Sequence, residues 1–186
     1  APAHALVIAN TNKPRVLVDS EYNKRRRECE EGVRLLSGKL KGVTALRDVT
    51  PEQFSEHRAT LPDAVADRCK HVIDENDRVL GSVQAVQAGN LNRFGQFMNA
   101  SHDSLRDLYE VSCRELDVMV EIARSTPGVV GSRMTGGGFG GCTITLVEAG
   151  AVTSLETEVR EHYPSQTGFE PDIYVCRLAG GAGEVL

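Results

Sequence analysis

Apolar residues recur along this chain with two periods, and the change from one to the other outlines its elements. His4 to Asn10 is apolar on both faces, the pattern of a strand in the middle of a sheet. After a polar loop at Asn12-Lys13-Pro14-Arg15, the period lengthens. Tyr22, Cys29, Val33 and Leu36 fall on one face of a helix predicted from about Ser20 to Leu36, with Ser20 as its N-cap. Thr50-Pro51-Glu52-Gln53 is a helix start, with a capping hydroxyl, Pro at the first position and Gln at the third.

The longest helix is predicted from about Asp63 to Gln87. Val65, Cys69, Val72, Asn76, Val79, Val83 and Val86 recur there at steps of four and three, a seam read as core packing. Gly89-Asn90 interrupts it, and Leu91, Phe94, Met98, Ser101, Leu105 and Leu108 form a second seam. Two such helices joined by a tight turn predict an antiparallel pair. A further helix, from about Arg114 to Ser125, turns Leu116, Met119, Val120 and Ala123 inward.

Beyond Pro127 the period shortens to two. Strands are predicted over Val129–Met134, Cys142–Val147 and Ile173–Leu178, with a helix from about Val152 to His162 between the last two. The order predicts an α+β domain over residues 1–186, with a four-stranded, mostly antiparallel sheet and helices packed on one face. A strand so close to Ala1 carries the expectation that further sequence precedes it.

Composition narrows the chemistry. The net charge of −5 argues against general affinity for nucleic acid or anionic membrane. Lys24-Arg25-Arg26-Arg27 is the one basic cluster, read as a solvated helix face. Five scattered cysteines without a CxxC pair suit reduced thiols and a cytoplasmic location. No apolar run approaches the roughly 18 residues of a membrane span, and no signal-peptide pattern opens the chain. The histidines form no metal-ligand spacing, and Cys69 and His71, two apart on a helix, point away from each other. Glu28, Glu30, Glu31, Asp74, Glu75 and Asp77 read as solvated helix faces rather than general acids.

One segment resists a packing explanation. Gly136-Gly137-Gly138-Phe139-Gly140-Gly141 holds five glycines in six positions, each adding conformational entropy that folding must overcome. Such a loop lets its backbone approach a ligand or another loop closely, and its N–H groups can cup an anion. Gly136, Gly138 and Gly141 satisfy GxGxxG, but Thr143-Ile144-Thr145 continues as a strand where a dinucleotide fingerprint needs a helix. No Gly-Lys-Ser/Thr closes a Walker A loop either. A glycine-rich hairpin connection is the purely structural alternative.

With its flank, Ser132-Arg133-Met134-Thr135-Gly136-Gly137-Gly138-Phe139-Gly140-Gly141-Cys142 resembles the third signature motif of the GHMP kinases in its galactokinase form. Ser20-Glu21-Tyr22, Arg26-Arg27 and Cys29-Glu30 resemble the segment after the first strand of the galactokinase C-terminal domain. His102-Asp103-Ser104-Leu105-Arg106-Asp107, leading to Val111-Ser112-Cys113 and Glu115-Leu116-Asp117, is a third match. In that order they cover nearly the whole chain.

The resemblance implies a ferredoxin-like GHMP kinase C-terminal domain from an enzyme that phosphorylates galactose with ATP and Mg²⁺. It implies that Tyr22 contacts the sugar, and that Gly136, Gly137, Gly138, Phe139, Gly140 and Gly141 support a phosphate-binding loop of the other domain. A core role beside Cys29 is the alternative for Tyr22. The family's Gly-Leu-Ser-Ser-Ser-Ala loop and its Gly-Ile-Met-Asp-Gln acid are not in this sequence. No catalytic residue and no metal ligand is therefore expected in this chain. ATP and Mg²⁺ are expected to be held mainly by an N-terminal half, which is the expected partner. A non-catalytic galactokinase-like sugar sensor and an N-acetylgalactosamine kinase are the other readings that the resemblance allows.

Overall fold

The computed structural model describes residues 3–14 and 18–176, with no account of the side chains at 18–20. The elements in chain order are β1 (His4–Asn10), α1 (Val18–Ser37), α2 (Pro51–His57), α3 (Asp63–Gln87), α4 (Leu91–Asp107), α5 (Arg114–Ser125), β2 (Val129–Thr135), β3 (Cys142–Glu148), α6 (Val152–Thr167) and β4 (Asp172–Cys176). Helix α1 starts two residues before the expected cap, and the Ser20 side chain lies outside the described residues. So does the end of the last strand beyond Cys176. Thr50 caps α2 as the sequence requires: its Oγ1 accepts from the Gln53 N–H, while the Gln53 side chain accepts from the Thr50 N–H.

The four strands form one antiparallel sheet in the order β2-β3-β1-β4. The strand apolar on both faces, β1, is central. With α6 between β3 and β4, this is the ferredoxin-like arrangement, its first connection enlarged to hold α1 to α5. Val7, Ala9 and Val147 on one sheet face pack against Met119 and Ala123 of α5 and Leu155 and Val159 of α6. A second core joins α1, α2 and α3 through Leu36, Phe54, Leu61, Cys69 and Ile73.

The α3–α4 hairpin takes a different place, along the outer edge of β2. An edge strand presents a row of unpaired N–H groups that must find partners. Here α4 supplies them from side chains: Asn99 Oδ1 accepts from the Ser132 N–H at 2.9 Å, and His102 Nδ1 from the Met134 N–H at 3.2 Å. Arg124 of α5 ties the corner, donating to Asn99 Oδ1, the Asn99 carbonyl, Asp103 and the Ser132 carbonyl. So close an approach requires glycine on both sides. A Cβ on Gly95 would lie 1.9 Å from the Val130 carbonyl oxygen, and one on Gly131 2.6 Å from the Gly95 backbone.

Two sequence expectations need correction. The α3 seam is core only in its first half, where Val65 and Cys69 are buried; Val79, Val83 and Val86 are at least half exposed. Helix α3 runs 25 residues, and its partner α1 packs against only part of it. Glu28 and Glu75 are not solvated either. Glu28 pairs with Arg25 and Arg68, and Glu75 accepts from the Ser101 hydroxyl and pairs with Arg78. His71, near Cys69 in sequence, bonds Ser104 Oγ at 2.8 Å and stacks on Tyr109, and burial depresses its pKa to about 4. It joins α3 to α4 as a neutral ring.

The edge contact makes a direct prediction. Gly95→Ala lowers stability by about 3 kcal/mol, since the new methyl meets backbone that cannot retreat. Gly150→Ala, where a Cβ meets nothing within 4 Å, changes it by less than about 0.5 kcal/mol. Denaturant melts of the two variants check the pair, and equal stabilities would contradict the packing described.

Candidate functional site

The glycine-rich loop joins the end of β2 to the start of β3, beside the end of β1, where Asn10 is paired with Cys142. Gly136, Gly138, Gly140 and Gly141 have φ of 85°, 83°, 127° and 90°, and Phe139 itself sits at 57°. Side chains rarely adopt that region, so glycine at these positions is a backbone requirement. Gly136 and Gly137 face solvent, while Gly138, Gly140 and Gly141 are buried.

Two anchors hold the loop. The Phe139 N–H donates to the Val111 carbonyl at 2.7 Å, and Gly138 lies so near that a Cβ would sit 2.0 Å from the same oxygen. The Phe139 ring packs against the cluster of Leu105, Val111, Leu116 and Met134. That contact explains how a residue with a side chain tolerates positive φ inside the loop. At the other end, the Thr11 N–H and Oγ1 both donate to the Gly141 carbonyl, at 2.8 and 2.7 Å. The Tyr163 hydroxyl in turn donates to the Thr11 carbonyl at 2.8 Å. The loop is thus braced from the segment after β1, from α6 and from the segment after α4.

That segment, Leu108 to Val111, is itself clamped. Arg25 of α1 donates from Nε to the Tyr109 carbonyl at 2.6 Å and from Nη2 to the Glu110 carbonyl at 2.9 Å. Arg68 of α3 donates to Glu28 at 3.0 Å, to the Leu108 carbonyl and to the Glu110 carboxylate. Both guanidinium side chains are buried, at 6% and 4% exposure. Arg, with five donors in a fixed fork, reaches carbonyls and carboxylates together in this way, and the Arg25 Nη1, 3.5 Å from Glu21 and Glu28, is held by charge without a hydrogen bond. The basic cluster is thus a solvated face at Lys24, Arg26 and Arg27 and a structural clamp at Arg25. Its sequence signal is faint: Arg25 lies three after Tyr22 and four before Cys29, on the helix face those two share.

His102 adds a third brace. Because Nδ1 accepts from Met134, the ring proton is assigned to Nε2, which faces Asp117 Oδ1 at 3.3 Å. Burial pushes the Asp117 carboxyl up, but the facing His102 ring and the Ser112 hydroxyl outweigh it and the net shift is downward. Asp117 therefore stays a carboxylate opposite a ring whose Nδ1 accepts from the Met134 N–H, and the His102 Nε2 itself makes no hydrogen bond. The His102 to Asp117 motif is support for β2 and its loop.

Tyr22 is 58% exposed and fills no core. It borders an open cleft of about 460 Å³, together with Arg26, Glu30, Thr44, Arg47 and Tyr109. Tyr109 is two residues from Val111, so one segment meets both this cleft and the glycine loop. Among the described residues, no group of three or more His, Cys, Asp or Glu side chains could hold a metal ion. No described helix is long and apolar enough to cross a membrane.

Residues 82–165 match the family described as GHMP kinases C terminal. Galactokinases of Roseiflexus sp. (strain RS-1) and Clostridium beijerinckii are 43% and 44% identical over 100% and 98% of this chain. The solved structure of Lactococcus lactis galactokinase complexed with galactose superposes with a TM-score of 0.92 at 37% identity over 99% of this chain.

Over residues 82–165 the chain carries a GHMP kinase C-terminal domain.

It spans about half the length of the relatives it matches, 47% of each of those three proteins. The solved structure of L. major mevalonate kinase in complex with R-mevalonate shares the fold, with a TM-score of 0.60 at 20% identity over 94% of this chain. The braced glycine loop, residues 136–141, lies inside the matched stretch. The loop, Thr11 and Val111 come together; Tyr22 stands apart on the cleft side of the same support. Thr11, Arg25, Arg68, Asn99 and His102 carry that support without having been singled out for it.

The clamp yields a stability prediction. Arg68→Ala costs about 3–5 kcal/mol, because Glu28 is left as a half-buried charge with less compensation. Arg68→Met combined with Glu28→Gln recovers part of the loss. Urea melts of the single and double variants decide it, and strictly additive losses would contradict the clamp.

Proposed function

We propose that this chain is the C-terminal half of a galactokinase, transferring the γ-phosphoryl group of ATP to the 1-hydroxyl of α-D-galactose. The observation that carries the reading is the glycine loop: four positive-φ glycines braced from three sides, in a chain whose galactokinase relatives match it from end to end. Phosphoryl transfer depends on positioning and charge stabilisation more than on covalent chemistry by side chains. The loop offers a rigid, side-chain-free surface against which a phosphate-binding loop of the other half can close. Tyr22 contributes a ring for the apolar edge of the sugar and a hydroxyl for its polar one.

In this reading the N-terminal half brings the ATP loop, the catalytic acid and the groups that hold Mg²⁺. The part of this chain in that reading is to bind and to position. Galactose is the small-molecule substrate, as the bound sugar of the Lactococcus lactis structure supports. A cytoplasmic location belongs to this proposal, and the five free cysteines suit a reducing compartment.

Tyr22→Phe in the full-length enzyme tests the sugar contact. Loss of a hydroxyl bond worth about 0.5–1.5 kcal/mol raises the galactose KM about two- to twelve-fold while leaving the melting temperature in place. An unchanged KM would remove Tyr22 from the sugar site. Absence of any galactose-dependent ATP turnover in the wild-type full-length protein would overturn the activity itself.

A further inference from the structure

The sheet face turned away from α5 and α6 is only half covered. Leu6, Ile144 and Leu146 line it, and between them and the α3–α4 hairpin runs an apolar groove of about 650 Å³. Its outer lip is the second half of α3, where the lining Val79, Val83 and Val86 are 59%, 50% and 50% exposed, with Leu80 beside them at 63%. Four large aliphatic residues within eight positions of one helix, next to an uncovered sheet face, exceed the scattered apolar exposure normal for a surface. A central strand apolar on both faces belongs to a sheet covered on both.

One end of the groove is polar and incompletely matched. Arg78 and Arg133 line it with a single carboxylate, Glu75, between them. Glu75 is shared between Arg78 and the Ser101 hydroxyl, and the Arg78 Nη2 is withdrawn from solvent without a hydrogen-bond partner. Arg133 donates its Nε to the Met134 carbonyl. Two guanidinium groups against one acid call for a further acceptor from whatever fills the groove.

A second copy reaches this groove only by setting the α3 lip of each protomer into the other's, an association that dilution reverses. The relatives have as much chain again as they share with this one, and a tethered half is always at high effective concentration. Arg133 also lies three residues before Gly136, on the strand that leads into the glycine loop. A body seated there is held beside that loop.

We propose that this groove seats the N-terminal half of the same polypeptide, through an apolar helix or strand that brings a carboxylate or carbonyl group to Arg78 and Arg133. The proposal rests on reading the chain as the C-terminal half of a kinase. It is tested on the full-length protein by carbene footprinting with peptide-resolved mass spectrometry, at low and high protein concentration. Residues 79–86 label several-fold less than the exposed positions of α2, and equally so at both concentrations. Labelling of 79–86 at the level of α2 would overturn the proposal. So would protection lost on dilution together with a dimer seen by light scattering, which would identify a second copy as the occupant. Galactose-dependent ATP turnover measured on the same sample separates the two readings. Turnover with 79–86 unprotected defeats the docking face alone, whereas protection without turnover leaves the docking face standing and defeats the kinase reading.

Discussion

The arrangement depends on how β2 disposes of its outer N–H groups. A strand edge left open is costly or sticky, and the usual remedies are another strand or a covering element. Here a helix lies parallel to the strand and reaches its backbone with side chains. Residues two apart on a strand are separated by about 6.7 Å. Residues three apart on a helix advance by only about 4.5 Å. Asn99 and His102 close that mismatch, the longer imidazole reaching Met134 where the short amide suffices for Ser132. Gly95 and Gly131 permit the approach, and the Arg124 fork locks it.

From that fixed edge the support of the glycine loop follows. Met134 is held by His102 and buried, so the loop leaves β2 from a defined point. It is caught at Phe139 by Val111 and at Gly141 by Thr11. Val111 belongs to the segment that Arg25 and Arg68 hold from α1 and α3. Each brace comes from a different part of the enlarged connection between β1 and β2. That connection therefore does more than decorate a ferredoxin-like sheet: it fixes the glycine loop as a rigid backbone surface.

Period and punctuation made most of the fold readable. The two-faced β1, the capped α2, the Gly89-Asn90 break and the inward stripe of α5 are local signals, and each corresponds to an element of the structure. The glycine loop was legible because no helix or strand pattern holds five glycines in six positions. The braces were not. Arg25 is one of four consecutive basic residues, and its burial comes from a carbonyl pair more than eighty residues away. Asn99 and His102 are polar residues on an amphipathic helix, and only the strand beside them explains their types. The exposed half of α3 misleads for the opposite reason. Val79, Val83 and Val86 continue a regular seam, but periodicity shows that a face is apolar without showing what covers it.

The central claim is that α4, by satisfying the edge of β2, sets the glycine loop some residues further on. Residue-resolved amide hydrogen exchange on the Asn99→Ala variant tests it most directly. The account predicts faster exchange at Ser132, whose acceptor is gone, and with it at Met134 and Phe139, while amides of α6 keep their protection. Faster exchange at Ser132 alone, with Met134 and Phe139 as slow as before, would show that the loop is held independently of the edge and would contradict the account.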